Sequence, residues 1–264
     1  MSYVSCTTVD GIAHVQLARP DKMNALTLDL LDDLKKTAHQ LRKDKTLRAV
    51  VISGQGESFC AGLDFAKVLT NPAGVVKAFI PNPLRGTNTF QEAPWAFRRI
   101  PVPVIAAVQG NCLGGGLQIA LAADFRIAAP DSTWSVLEGK WGLIPDMSGV
   151  RALSELVGVD TAKKLTMTAQ MVSGTEALEI GLVTELDNDP LAAAFALAEQ
   201  LKGRSPDALA AAKRLFNAAP TQTARRTFAQ ERMEQLWLLF ARNTTAARNA
   251  AFNRSTPSYS PRQR

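Results

Sequence analysis

Three consecutive glycines, Gly114, Gly115 and Gly116, constrain this chain more than any other feature. They stand between an apolar run, Val104 to Val108, and an Ala/Leu/Ile pattern of helical spacing, Leu117 to Ala123. That order predicts a strand running through glycines into a helix. Such a junction leaves backbone N–H groups at a helix N-terminus without intrahelical acceptors, where they stabilise developing negative charge. The same stretch, Gly110 to Asp146, carries two downstream carboxylates, Glu138 and Asp146. An anion-stabilising turn followed by acid/base candidates outlines an enzyme site, and the rest of the chain reads as its support.

The 264 residues are 46% hydrophobic and 20% charged, enough for one large core or a core with a small appendage. The three cysteines, Cys6, Cys60 and Cys112, form no C-x-x-C pair and suit a reducing compartment. The start, MSYVSCTTVDG, lacks a basic, apolar leader, and no apolar run approaches membrane-spanning length. The expectation is a cytoplasmic protein with no membrane partner. A formal charge of +6 fits either a solvated basic surface or attraction for a polyanion, for which a nucleotide-bearing ligand would qualify. Nucleic acid is disfavoured, because no binding motif accompanies the charge and only 6% of residues are aromatic.

Read in order, Tyr3 to Thr8 and Ile12 to Leu17 flank Asp10-Gly11, a two-residue hairpin signal. Ala13, Val15 and Leu17 share one strand face, which leaves His14 half-exposed on the other. Thr27 caps a predicted helix with Leu30, Leu31, Leu34, Ala38 and Leu41 on its stripe and His39 facing solvent. Two histidines cannot build a histidine metal cage, and neither sits where a nucleophilic triad would need it. Arg48 to Ser53 is a buried strand leading to small residues before Asp64, where a backbone can pass close to a ligand. Residues 66–100 are broken by Pro and Gly until a helix over Phe90 to Arg99. Val68, Leu69, Phe79, Trp95 and Phe97 could wall a pocket or simply pack. Strands are expected at Phe125 to Ala128 and Gly181 to Val183, and helices at Met147 to Leu156, Asp160 to Thr168 and Ala177 to Ile180. From Pro190 the pattern is helical: Leu191 to Leu201, Asp207 to Phe216, Thr221 to Ala241 and Thr245 to Phe252. The result is an α/β core with a helical C-terminal region.

Five segments stand in order: Phe59-Cys-Ala-Gly-Leu-Asp64, Val108-Gln-Gly-Asn-Cys-Leu-Gly-Gly-Gly116, Ala123-Asp-Phe-Arg-Ile127, Gly142-Leu-Ile-Pro145 and Ala177-Leu-Glu-Ile-Gly-Leu-Val183. Together they resemble the crotonase (enoyl-CoA hydratase/isomerase) superfamily over roughly residues 10–255. Arg19-Pro20 with Asn24-Ala25-Leu26 adds the family's early CoA-contacting segment. The resemblance implies a spiral of ββα turns over residues 1–190, a helical trimerisation region over 191–255 and a loose tail over 256–264. It implies a homotrimer or dimer of trimers acting on an acyl-CoA thioester, with no separate cofactor and no metal. The thioester carbonyl would lie between the N–H groups of Leu63 and Gly115. Lys22, Met23, Ala25 and Ala61, with Gly62, Asp64, Gly116 and Gln118, would contact CoA or substrate. Arg248 or Arg254 could meet a CoA phosphate.

Family hydratases carry two glutamates that handle water, and the first position here is Gln118. An amide cannot exchange a proton near neutral pH. The second position is Glu138, which is present. Asp146 stands where hydratases have glycine, and there resembles the dienoyl-CoA isomerases, which pair Glu with Asp; their third acidic residue would fall at Gln118. The resemblance therefore favours isomerisation through an enolate, with Glu138 and Asp146 as acid/base. The alternatives are an enoyl-CoA hydratase or a non-catalytic acyl-CoA- or RNA-binding relative. Aryl-CoA dehalogenases share an Asp at position 146 but also use a histidine before the glycines, which is missing here. Without a catalytic role, Asp146 would cap the following helix and Glu138 would form a surface ion pair. Cys60 and Cys112 read as small packing residues.

Overall fold

The computed structural model describes residues 3–264. Strands β1 (Val4–Val9) and β2 (Ile12–Leu17) pair antiparallel, with Val9 opposite Ile12. Asp10 and Gly11 hold φ of 49° and 81°, as a tight hairpin turn requires. Thr27 Oγ1 accepts the Leu30 N–H at 3.2 Å and caps α1 (Leu28–Lys43), a contact worth about 1 kcal/mol. The stripe Leu30, Leu31, Leu34, Ala38 and Leu41 is buried, as its spacing predicts.

The remaining strands are β3 (Ala49–Gly54), β4 (Val104–Val108), β5 (Asn111–Leu113), β6 (Phe125–Ala128), β7 (Thr133–Ser135), β8 (Val172–Ser173) and β9 (Glu185–Leu186). They form a six-stranded sheet, β1-β2-β3-β4-β6-β9, and a three-stranded sheet, β5-β7-β8. Every large-sheet pairing from β2 onward is parallel. A parallel bridge from Cys60 to Cys112 ties the segment after β3 to the small sheet. Successive turns thus place one strand in each sheet before the next helix, which is the spiral of ββα turns that the resemblance implies.

Helices α2 (Phe65–Val68), α3 (Pro72–Phe79), α4 (Thr89–Arg98), α5 (Gly115–Ala120), α6 (Gly149–Val157), α7 (Val159–Thr168) and α8 (Gly174–Glu179) interleave with these strands. Helices α9 (Pro190–Lys202), α10 (Pro206–Ala218), α11 (Ala224–Leu239) and α12 (Arg242–Phe252) close the chain. Both faces of β3 and β4 are buried, so their sequences are continuously apolar. Val50, Ile52, Val104 and Ala106 join the leucines of α1 and Phe97 of α4 on one face. Val51, Ile105 and Ala107 pack on Ala194 and Ala198 of α9 on the other.

Several expectations are corrected. The chain does not run from β4 straight into the helix: it turns, adds the three-residue β5, and only then reaches Gly114. That helix spans Gly115–Ala120 and not Leu117 to Ala123. Residues 181–183 are no strand, because the Leu182 and Val183 amides donate to Ala177 O and close α8; the strand is β9. The helix expected from Thr221 begins at Ala224, where Thr223 caps it. His39 does not simply face solvent, since its Nε2 lies 2.7 Å from Oε1 of Glu92, a carboxylate only 2% exposed. Residues 256–264 are not loose: Arg262 N–H donates to Lys45 O and Gln263 N–H to Asp207 Oδ1. Pro and Arg content suggested disorder, but backbone partners supplied by distant elements hold the segment.

Candidate active site

The site lies in the segments that follow β3, β5 and β7, on the side of the large sheet where β3 and β4 end. Such ends are the usual ligand side of a parallel sheet. After β3, Gly62 adopts φ of +94°, and a Cβ there would lie 3.0 Å from Leu113 O. Glycine thus lets the turn at 62 press directly on the turn at 113–114. After β5, Gly114 adopts φ 51° and ψ −120°, a conformation closed to side-chain-bearing residues. These two contacts bring the two proposed donor segments together.

The donors themselves are free to act. Leu26 N–H donates to Gly62 O at 2.7 Å, and Asp64 N–H donates to Leu26 O at 2.9 Å. This bridge turns the Leu63 N–H away from Leu26, and it donates to no acceptor among the described residues. Gly115 is the first residue of α5, and its N–H likewise has no protein acceptor among them.

Leu63 and Gly115 line a cavity of about 490 Å³ together with Ala61, Gly62, Gly114, Glu138 and Asp146. That volume lies within the range of small-molecule sites. Glu138 sits on a short 3-10 turn, Leu137–Trp141. Its Oε1 is placed over the glycine turn, 3.4 Å from where a Gly114 Cβ would be. Gln118 Nε2 donates to that same Oε1 at 2.6 Å, while Oε2 is buried without a hydrogen-bond partner among the described residues. Burial pushes the Glu138 carboxyl above its ordinary value, and the charge of Asp146 adds to the push; the Gln118 amide acts against it. Burial also raises Asp146. The two carboxyls therefore share one poorly solvated space, where keeping both ionised is costly.

Gln118 is 1% exposed and lies outside the cavity lining. Its Oε1 accepts the N–H groups of Met147 and Gly149 at 2.8 and 3.0 Å. One amide thus fixes both Glu138 and the segment that follows Asp146. Asp146 is not a helix cap: α6 begins at Gly149, its N-cap is Ser148, and no side chain caps it. Glu138 forms no ion pair among the described residues.

Other expected contacts are redistributed. Gly116 is a packing glycine, since a Cβ there would lie 2.5 Å from Cys60 O. Asp64 caps α2 and pairs with Arg19 at 3.1 Å, away from the cavity lining. Lys22, Met23 and Ala25 do not line the cavity but run beside it: Ala61 N–H donates to Met23 O at 2.9 Å. Arg248 and Arg254 are exposed and do not line it. Of the expected wall, Val68, Leu69 and Phe79 line the cavity, Phe97 is core, and Trp95 faces a different cavity. Sequence reading missed Trp141, Leu143 and Ile144, which complete the wall. Their signal was an apolar cluster without strand or helix period beside Glu138. Among the described residues no cluster of His, Cys, Asp or Glu could hold a metal, and no helix is long and apolar enough to cross a membrane.

Comparison with known proteins shows the family. The family model for enoyl-CoA hydratase/isomerase matches residues 7–248. The mouse mitochondrial Delta(3,5)-Delta(2,4)-dienoyl-CoA isomerase is 35% identical over 210 residues, covering 76% of this chain and 64% of that protein. The Mycobacterium leprae protein named "Probable enoyl-CoA hydratase echA6" is 32% identical, with 81% of this chain and 82% of that protein covered. Among solved structures, an enoyl-CoA hydratase from Polaromonas sp. JS666 superposes with a TM-score of 0.88 at 28% identity, covering 97% of this chain and 99% of that one.

Proposed function

This chain belongs to the enoyl-CoA hydratase/isomerase family, and from that premise we propose that it shifts a double bond in an enoyl- or dienoyl-CoA through an enolate. The carrying observation is the pair of carboxyls, Glu138 and Asp146, on one cavity with an amide, Gln118, in place of a second glutamate. The thioester oxygen sits between the N–H groups of Leu63 and Gly115. Glu138, over the glycine turn, takes a proton from the carbon beside the thioester. The negative charge moves to the thioester oxygen, where one backbone donor is worth about 3 kcal/mol of barrier. Asp146 returns a proton further along the conjugated chain. Both raised carboxyls suit a pair that passes one proton between base and acid forms. The apolar wall from α2, α3 and residues 141–144 receives the acyl group.

Hydration is the second reading, favoured by the name of the Polaromonas neighbour. It needs two groups that handle water, and Gln118 supplies neither a base nor an acid. Ultraviolet absorbance with a 2-enoyl-, a 3-enoyl- and a 3,5-dienoyl-CoA separates the readings. Gained conjugation from the 3-enoyl ester, or a shift of the dienoyl spectrum, supports isomerisation. Loss of signal from the 2-enoyl ester alone supports hydration. For assembly we propose a homotrimer built on residues 191–255. Phe228, Met233, Leu236 and Leu239 on α11 are exposed, as is the adjacent Phe240, a face that a second copy would cover. A monomer in sedimentation at micromolar concentration would contradict this.

A further inference from the structure

A second cavity, of about 840 Å³, lies at the opposite end of the large sheet. Residues 42–45, which precede β3, and Ile100-Pro101, which precede β4, form one side of it. Trp95 and Arg98 of α4 with the adjoining Arg99, residues of α10 and α11, and the packed C-terminal stretch form the rest. Nine of its fifteen lining residues are Lys or Arg, and only Glu234 is acidic. Four of the nine are answered by carboxylates: Arg98 by Glu155, Arg99 by Glu92, Lys213 by Asp124 and Arg214 by Glu234. The other five, Arg42, Lys43, Lys45, Arg262 and Arg264, have no side-chain carboxylate within ion-pair distance among the described residues.

Arg262 is the centre of this set. It is 3% exposed. Its Nε donates to Arg264 O at 2.7 Å and its Nη2 to Asp44 O at 3.3 Å, while Nη1 has no partner among the described residues. Arg264 O belongs to the terminal carboxyl group of the 264-residue chain, and the charges of Asp207 and Asp44 also reach Arg262, so its charge is answered in part while Nη1 keeps an open donor. Arg264 stacks over Trp237, 4.3 Å from the ring centroid, which fixes a second guanidinium at the wall. The arrangement is concave and local, so it fits a compact anion better than an extended nucleic-acid backbone.

We infer that this cavity binds a small molecule carrying two or more phosphate groups, at a site separate from the acyl cavity. Guanidinium and ammonium groups converging from four parts of the chain suit several phosphate oxygens at once. The occupant is a free polyphosphate compound; the CoA moiety carries the same phosphate chemistry and is the competing occupant that the test excludes.

The probe is inorganic tripolyphosphate, titrated calorimetrically into the full chain at physiological ionic strength, with and without saturating butyryl-CoA. One tripolyphosphate per chain, with unchanged affinity in butyryl-CoA, is expected. The triple variant Arg42→Ser, Lys43→Ser, Lys45→Ser should bind at least about tenfold more weakly. These side chains are exposed, and the variant should melt no lower than the wild type without ligand. Arg262→Gln is a second variant, expected to weaken binding similarly and checked for folding by its melting transition. Three results would overturn the inference: no wild-type binding, undiminished binding by the folded variants, or displacement of tripolyphosphate by butyryl-CoA. The last would make the cavity the seat of the CoA phosphates.

Discussion

The two ends of the large sheet are built by opposite means. At the C-terminal ends of β3 and β4 the site is made of backbone: two glycine turns in contact, two free N–H groups, and two carboxyls that the surroundings disfavour as anions. At the N-terminal ends the cavity is made of long cationic side chains on helices and a terminal segment. Backbone donors cannot be moved without moving the fold, whereas long side chains can be exchanged nearly one by one. Chemistry on a developing charge needs the first kind of wall; attraction for a formed charge needs only the second. Substitutions at the acyl end should therefore change rate steeply and leave tripolyphosphate binding alone, and the reverse should hold at the other end.

Glu138→Gln carries the largest expected effect. It keeps size and hydrogen bonding but removes the base, so kcat should fall about 10³-fold or more, with thioester binding retained. Gly115→Ala comes next. The added Cβ would lie 2.8 Å from Leu26 Cδ1 and 2.9 Å from Met147 Sδ. Those side-chain ends can yield, so the protein should fold, but the displaced donor should cost about 100-fold in kcat/KM.

Asp146→Asn tests the coupling between the carboxyls. Loss of its charge removes one cause of the raised Glu138 value, so the acid limb of the kcat/KM profile should move to lower pH. Stability should move the other way from activity. A carboxyl raised on folding binds more protons in the native state than in the unfolded chain, so its ionisation weakens the fold as pH rises through the raised value. At pH 7 the Asn variant should thus melt higher than the wild type. That gain should vanish below the ordinary aspartate value of 3.8. Equal melting temperatures at both pH values would deny that Asp146 is held in an unfavourable environment. The smallest effect is expected from Phe79→Ala, on the half-exposed wall beside Phe90. It should lower kcat/KM about five-fold for long acyl chains and hardly at all for short ones.

The backbone-built end was the more legible in sequence. Glycines, the Asp10-Gly11 hairpin and the apolar runs of β3 and β4 have local causes, so residue order reveals them. The three-residue β5 was too short to carry a period, and its position depends on pairing with β7. Gly116 read as a ligand contact, because only the folded packing on Cys60 explains its lack of a side chain. Gln118 read as a lost acid, but its bonds to residues 138, 147 and 149 lie 20 to 31 positions away in sequence. The cationic cavity left only a net charge in the sequence, since its lining is drawn from residues 42–45, 95–101, 213–234 and 262–264.

The central claim is that Glu138 forms a thioester enolate without adding water. Incubation in D2O with a 3-enoyl-CoA, followed by mass and NMR analysis of the recovered esters, tests it directly. The wild type should give the conjugated isomer, with deuterium at C4, where the proton is returned, and at C2 wherever enolate formation reverses. Glu138→Gln should bind the ester and return it unlabelled. A 3-hydroxyacyl product, or no carbon-bound deuterium from the wild type, would contradict the account.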